Sequence, residues 1–215
     1  MRWIIKPKPD LSTVTRLSNK LGVDSTTSFL LAKRGIETYE EAKRFFRPEL
    51  KDLHDPFLMK DMDKAVSRIE KAIIAEENIL IYGDYDVDGT TSVALLFSYL
   101  RSYYSNIATY IPDRYGEGYG ISYKGIDFAE DNNFSLIIAL DCGIKAIDKV
   151  AYASKKGIDF IICDHHRPGD EIPKAKAVLD PKRDDCDYPF KELCGCGVGF
   201  KLIQALASQK GETID

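Results

Sequence analysis

Carboxylates and imidazoles gather in three short runs of this 215-residue chain: Asp84, Asp86 and Asp88 in GDYDVDG, Asp141 in IIALDCG, and Asp164, His165 and His166 in IICDHH. Each run follows an apolar stretch of strand character. In an open parallel sheet, ligands bind beyond the carboxyl ends of the strands, so these side chains are expected to share one pocket. Five carboxylates in one low-dielectric cleft repel one another strongly, and the neighbouring Lys and Arg are too few to balance them. Divalent metal is the simplest counter-charge. Carboxylates with one or two imidazoles suit Mn²⁺ or Mg²⁺, whereas a thiolate-rich set would suit Zn²⁺. So many ligands exceed the needs of one ion and point to two ions sharing a bridging carboxylate. Such a pair activates water and clamps both oxygens of a phosphoryl displacement, which predicts hydrolysis of a phosphate ester or anhydride. Each run also has a plainer reading: an Asp after a strand is usually a turn or cap, alternate Asp residues ending in Gly can form a solvated turn, and adjacent His residues are often structural. Their joint occurrence at equivalent strand ends weighs against that reading.

The elements that must position these residues are legible from periodicity. Residues 1–77 read as a helical N-terminal subdomain. Leu11, Val14, Leu17 and Leu21 keep helical spacing and stop at Gly22; Ser25 opens a second helix, and Thr38 with Glu41 forms a capping box for a third. Met62, Ala65, Val66, Ile69, Ala72 and Ile73 make a long amphipathic helix. At Asn78 the pattern changes. Strands are expected at NILIYGD, IATYIP, FSLIIALD and IDFIICD, with KAVLD as a fifth. Helices are expected at TTSVALLFSYLRSYY, ISYKGIDFAEDN, IKAIDKVAYASKKG and GVGFKLIQALASQKG. Alternating strands and helices predict an α/β fold, a doubly wound, mainly parallel sheet over residues 78–215 with helices on both faces.

Composition sets outer bounds. At 44% hydrophobic and 30% charged residues the chain can bury a core, and the composition excludes disordered, collagen-like and disulfide-scaffold classes. No apolar run approaches the roughly 20 residues of a membrane helix, and MRWIIKPKPD does not read as a signal peptide. Five Cys without framework spacing favour a reducing cytoplasm. The net charge is −4, with the acidic excess beyond residue 81; this excludes a broadly basic nucleic-acid coat but not a local basic groove.

The ordered motifs DYDVDG, DCG and DHH resemble the DHH phosphoesterase superfamily. Within it the chain is similar to the RecJ-type single-stranded-DNA-specific exonucleases, through LLAKRGIETYEEAKRFFRPEL, LHDPFLMKDMDKAVSRIEKAI, EGYGIS and DPKRDDCDYPFKELCGCGVGFKL. The resemblance implies that Asp84, Asp86 and Asp88 supply metal ligands, that Asp141 bridges two Mn²⁺ or Mg²⁺ ions, and that His165 ligates metal. It implies that His166 ligates or contacts the scissile phosphate, and that Asp164 orients an imidazole. It further implies 5′-to-3′ cleavage of single-stranded DNA in repair and recombination, alongside other repair proteins and without a membrane. The family carries one more metal-binding Asp in a strand after the GVGFKL helix. Residues 201–215 hold only Asp215, so the chain reads as a DHH domain truncated before its last metal-binding motif, its own activity in doubt. Pyrophosphatase, nano-RNA and cyclic-dinucleotide phosphodiesterase activities, or a non-catalytic nucleic-acid-binding scaffold, are the alternatives within the superfamily; the helical lead and the retained ligands favour RecJ.

Weaker features surround this core. Arg114, Lys145 and Arg167 flank the runs and could meet phosphates, although each taken singly is more often a solvated charge. Tyr115, Tyr119 and Tyr123 have spacing compatible with base stacking and equally with packing. EGYGIS and CGCGVGF are Gly-rich turns of the kind that bind phosphate or permit close helix packing. Cys186, Cys194 and Cys196 lack the paired spacing of a zinc site, Cys142 and Cys163 read as small buried residues, and His54 as structural. DVDGT also matches the nucleophile motif of haloacid-dehalogenase phosphatases, with Asp184 and Asp185 as the acidic pair, but that reading leaves Asp141, His165 and His166 without a role. A P-loop reading of GDYDVDGTTS fails on spacing and on the missing Lys.

Overall fold

The computed structural model describes residues 4–212 and Ile214; Met1–Trp3 of the N-terminal run, and Asp215, lie outside the described residues. The chain forms two compact units, Met1–Leu53 and His54–Asp215.

The first unit holds three helices, α1 (Leu11–Leu21), α2 (Ser25–Lys33) and α3 (Tyr39–Phe46). Asp10 and Asp24 cap α1 and α2 by accepting backbone N–H groups. The Thr38–Glu41 capping box expected for α3 is present. Val14, Leu17, Leu31 and Ala32 form its small core.

The second unit is a five-stranded parallel sheet in the order β2-β1-β3-β4-β5. The strands are β1 (Asn78–Gly83), β2 (Ile107–Tyr110), β3 (Phe134–Leu140), β4 (Asp159–Cys163) and β5 (Ala177–Leu179). The helices are α4 (Met62–Ile74), α5 (Val87–Arg101), α6 (Tyr123–Asp131), α7 (Ile147–Lys155) and α8 (Gly195–Gln209). Side chains alternate across the pleat. Ile79, Ile81, Leu136, Ile138, Leu140, Ile161 and Leu179 pack against α4, α5 and α8. Leu80, Tyr82, Ile137, Ala139, Phe160, Ile162 and Val178 pack against α6 and α7. Both faces are therefore covered, which is why these strands read as continuous apolar runs. The strand order reverses between β1 and β3, and that switch opens a crevice at their carboxyl ends.

The hydrophobic pattern divides the chain at 77/78, but the compact unit begins at His54. The reason is α4: Met62, Ala65, Val66, Ile69 and Ala72 are buried in the same core as β1. Periodicity shows that a helix has an apolar stripe but not what covers it.

Candidate metal centre

The carboxyl ends of β1, β3 and β4 deliver the predicted side chains side by side. Asp84 follows β1 directly and is fully buried. Its Oδ1 accepts the Tyr85 N–H at 2.7 Å, while no donor among the described residues reaches its Oδ2. Asp86 caps α5 by accepting the Gly89 N–H at 2.9 Å and is exposed. Asp88 sits in the first turn of α5, where Oδ2 accepts from Gly195 N and Oδ1 from Cys196 N, each at 2.7 Å.

Asp141 follows β3 in a left-handed conformation with φ 60, a backbone state few non-glycine residues adopt. Its N–H is held by the Cys163 carbonyl at 2.8 Å. Asp141 Oδ1 lies 3.1 Å from His165 Nε2, yet meets no donor in hydrogen-bonding geometry. Burial, then the charges of Asp88 and Asp86, push this carboxyl up to about 8. A divalent ion would reverse that tendency.

Asp164 follows β4 directly and is fully buried. It accepts the backbone N–H groups of Ile144, His165 and His166 at 2.9, 2.7 and 3.1 Å. Burial opposes its charge, but the hydrogen bonds from His166 and Ile144 hold its carboxyl below the usual range. Asp164 Oδ1 also lies 2.7 Å from His166 Nδ1. That contact outweighs burial and raises the imidazole's affinity for its proton. Nε2 of the same ring faces the Tyr119 hydroxyl at 3.2 Å.

Asp141, His165 and His166 each offer a ligand atom within 4.8 Å of the others. Buried oxygens without donors, beside imidazole nitrogens, are what a hard divalent cation requires. Asp84, Asp86 and Asp88 surround this group without joining it at that spacing.

The outlying candidates separate. Arg114 stacks over the Tyr85 ring at 5.2 Å, and Tyr119 meets Tyr85 edge-on, so EGYGIS forms one wall of the crevice. That loop is held from beneath, with Tyr82 Oη donating to the Gly120 carbonyl and accepting the Ser122 N–H. Lys145 and Lys149 line a cavity of about 290 Å³ reaching Asp164 and His166. Arg167 opens instead onto a separate hollow with Lys182, Lys191 and Asp184. Tyr115 is exposed, and Tyr123 packs edge-on to Tyr152. Asp185 is ion-paired with Arg183 at 2.8 Å, and Cys194 caps α8. Cys142, Cys163 and Cys186 are buried, and His54 packs edge-on to Tyr188.

One strand-end residue escaped the sequence reading. Asp180 follows β5 and is fully buried; among the described residues its side chain accepts only the Lys182 N–H, at 2.7 Å, and Oδ2 has no donor. The signal was available, because KAVLD repeats the apolar-run-then-Asp pattern of the other strands.

Residues 78–215 match the protein family described as DHH family, N-terminal domain. The chain is 44% identical over 209 residues to the single-stranded-DNA-specific exonuclease RecJ of Bacillus subtilis (strain 168), an alignment covering 97% of this chain and 26% of that protein. It is 37% identical over 178 residues to the single-stranded-DNA-specific exonuclease RecJ of Escherichia coli (strain K12), covering 82% and 30%. The crystal structure of RecJ in complex with Mn²⁺ from Thermus thermophilus superposes with a TM-score of 0.76 at 25% identity, over 99% of this chain and 29% of that one. The chain thus spans about a quarter to a third of the length of the curated relatives it matches. With the α/β sheet, the three acidic strand ends and this match over the whole of the sheet segment, the chain belongs to the DHH family.

Proposed function

We propose that the chain supplies the metal-binding crevice of a two-ion phosphodiester hydrolase. In the intact protein this would be a single-stranded-DNA-specific exonuclease working 5′ to 3′ with Mn²⁺ or Mg²⁺. The observation that carries the reading is the pair of buried carboxylate oxygens without hydrogen-bond donors, on Asp84 and Asp141, at the sheet's switch point, with Asp141 Oδ1 3.1 Å from His165 Nε2. Among the described residues no Lys or Arg forms an ion pair with either carboxylate. Asp84, Asp86, Asp88, Asp141 and His165 would hold the ions, with Asp141 shared and Asp88 Oδ2 3.7 Å from His165 Nε2. Bound divalent ions supply Lewis acidity toward the attacking water and the phosphate.

The chain's own groups orient the substrate. Asp164, charged and buried, keeps the proton of His166 on Nδ1, which turns Nε2 toward the crevice. From there Nε2 can meet an ion or a phosphate oxygen in exchange for the Tyr119 hydroxyl. Arg114 and Lys145 stand where they can meet flanking DNA phosphates, with Arg167 further along. The names of relatives support single-stranded DNA as the substrate class. A role in DNA repair and recombination, with other repair proteins as partners, belongs to the same proposal. No helix among the described residues is long and apolar enough to cross a membrane, and the free cysteines fit a cytoplasmic setting.

End-labelled single- and double-stranded DNA incubated with the intact protein and Mn²⁺ tests this reading. Nucleotides should leave single strands from the 5′ end while duplex stays whole. Asp141→Ala should abolish cleavage with an unchanged far-UV circular dichroism spectrum. Unchanged turnover in that variant, or equal attack on duplex, would overturn it.

A further inference from the structure

The net charge of −4 is divided unequally between the two units. Residues 1–53 carry 11 Lys and Arg against 7 Asp and Glu, a net +4, while residues 54–215 carry 19 against 27, a net −8. A polyanionic strand is therefore drawn to the first unit and repelled by the second for as long as no ion fills the crevice.

Within the first unit, α3 presents an unusual face. Tyr39, Ala42, Lys43 and Phe46 follow the i, i+3, i+4, i+7 spacing of a stripe that packing helices bury, yet of the α3 residues only Ala42 is buried. Tyr39, Phe45 and Phe46 stay 45%, 55% and 57% exposed, and the unit's buried core comes from α1 and α2 through Val14, Leu17, Leu31 and Ala32. Tyr39 and Phe46, with Leu21 and Val23, line a hollow of about 240 Å³, and Lys43 and Arg47 complete its lining. Phe45 meets Phe46 edge-on, with ring centroids 5.1 Å apart.

The cations of this face are as open as its rings. Lys43, Arg44 and Arg47 are exposed. Acidic neighbours in sequence are engaged elsewhere: Glu41 accepts the Glu37 and Thr38 N–H groups at 2.7 and 3.0 Å, Glu49 pairs with Lys51, and Asp52 accepts the Glu49 N–H at 3.0 Å. Cations near a helix C-terminus suit its dipole, but the dipole asks nothing of three exposed aromatic rings. A protein-docking face keeps charge out of its centre, whereas Lys43 stands between Tyr39 and Phe46 along the stripe.

We infer that this face of α3 is a second binding surface for single-stranded DNA: Tyr39 and Phe46 stack on unpaired bases, and Lys43, Arg44 and Arg47 meet the phosphates. Exposed rings interleaved with free cations are the components of a sequence-tolerant single-strand site, and a duplex hides the base faces such rings require. This deepens the proposed single-strand reading and rests on it for the choice of ligand; binding here is separate from cleavage and needs no metal.

The test measures fluorescence anisotropy of labelled oligothymidine with the whole chain in EDTA, across a salt series and beside a duplex of equal length. The wild type should bind the single strand more tightly than the duplex. Combining Lys43→Gln, Arg44→Gln and Arg47→Gln should flatten the slope of log affinity against log salt by about 2. Phe46→Leu, which keeps an apolar side chain but no ring, should weaken binding about 5- to 100-fold, and Phe46→Trp should hold it within about twofold of the wild type. Wild-type affinity in Phe46→Leu, or an unchanged salt slope in the triple variant, would overturn the inference. If Phe46→Leu alters the circular dichroism spectrum, the triple variant, confined to exposed positions, decides alone. A change in sedimentation with DNA affinity intact would make the face a contact between copies of the chain and equally overturn it. Because the assay excludes metal, loss of binding in these variants supports the surface even if the intact protein fails to cleave with Mn²⁺, a failure that would sink only the functional reading.

Discussion

Asp164 and Asp180 directly follow neighbouring strands, yet their carboxyls are pulled in opposite directions. Asp164 is buried but gathers enough hydrogen bonds to stay charged. Asp180 is buried with one N–H donor, and burial, reinforced by the charge of Asp164, pushes it up to about 7. An unfolded Asp titrates near 3.9. Between about pH 4 and pH 7 the folded chain therefore keeps a proton on Asp180 that the unfolded chain has released. Stability contributed by this group falls as pH rises through that window and is flat above it. Asp180→Asn removes the titration while keeping the shape. It should leave stability near pH 4 unchanged and raise it at pH 8 by on the order of 1–3 kcal/mol, measured by urea unfolding of the metal-free chain. Parallel pH profiles for the two proteins would contradict this. A second buried charge tests the opposite case. Arg183 is almost fully buried and pairs with Asp61 at 2.8 Å while also holding Asp185. Asp61→Asn removes the more buried of its two partners and should cost about 1–3 kcal/mol at neutral pH; a loss below about 0.5 kcal/mol, the scale of an ordinary surface change, would show that Asp185 alone suffices. At this scale residue type and strand-end position were readable in advance for Asp84, Asp141 and Asp164. What each carboxylate touches was not: Asp88 looks like its neighbours in sequence, and only the approach of a helix more than a hundred residues away distinguishes it.

Helix starts show where local pattern stops being sufficient. The apolar periodicity of TTSVALLFSYLRSYY places the helix after β1 from Thr90, but α5 begins at Val87 because Asp86 caps it. The cap was hidden by its own chemistry, since an Asp in a metal-like motif and an Asp that caps a helix look identical in sequence. The helix after β3 was expected from Ile144 and begins at Ile147. Here Ile144 N donates to Asp164 Oδ2 at 2.9 Å, and Gly143 takes φ 115, so the chain turns to serve the crevice before it coils. The strands, in contrast, lie within a residue or two of their expected bounds, because burial on both faces leaves an unbroken apolar run with a polar stop at each end. The early start of α5 has a steric condition at Gly89. A Cβ there would fall 2.4 Å from the Asp84 carbonyl oxygen and 2.7 Å from Asp84 N, and backbone cannot move aside as a flexible side chain can. Gly89→Ala should cost about 1–3 kcal/mol or more and weaken Mn²⁺ binding by displacing Asp84. Calorimetric titration with Mn²⁺ beside urea unfolding separates the two effects, and wild-type values in both would mean that α5 and β1 can part at little cost.

Across the whole molecule, sequence pattern and packing draw the boundary at different places. The strand pattern and the family match both begin at residue 78, because both follow the sheet. Packing draws the line at His54. The apolar stripe of α4 covers one face of the sheet through Met62, Val66 and Ile69, and Arg68 reaches across to Glu77 and Asp159 at 2.7 Å each. Removing α4 would expose that face and strand two carboxylates, creating the kind of contiguous apolar patch that drives association. A chain of residues 54–215 should therefore unfold cooperatively in urea as a soluble monomer. A chain of residues 78–215 should aggregate, or unfold with a shallow, low-midpoint transition. Both variants contain all the proposed ion-holding residues, so their Mn²⁺ affinities report on whether the crevice needs an intact sheet rather than on ligand count. If residues 78–215 fold with the midpoint and slope of the longer chain, α4 is an appendage and the unit begins where the strands do.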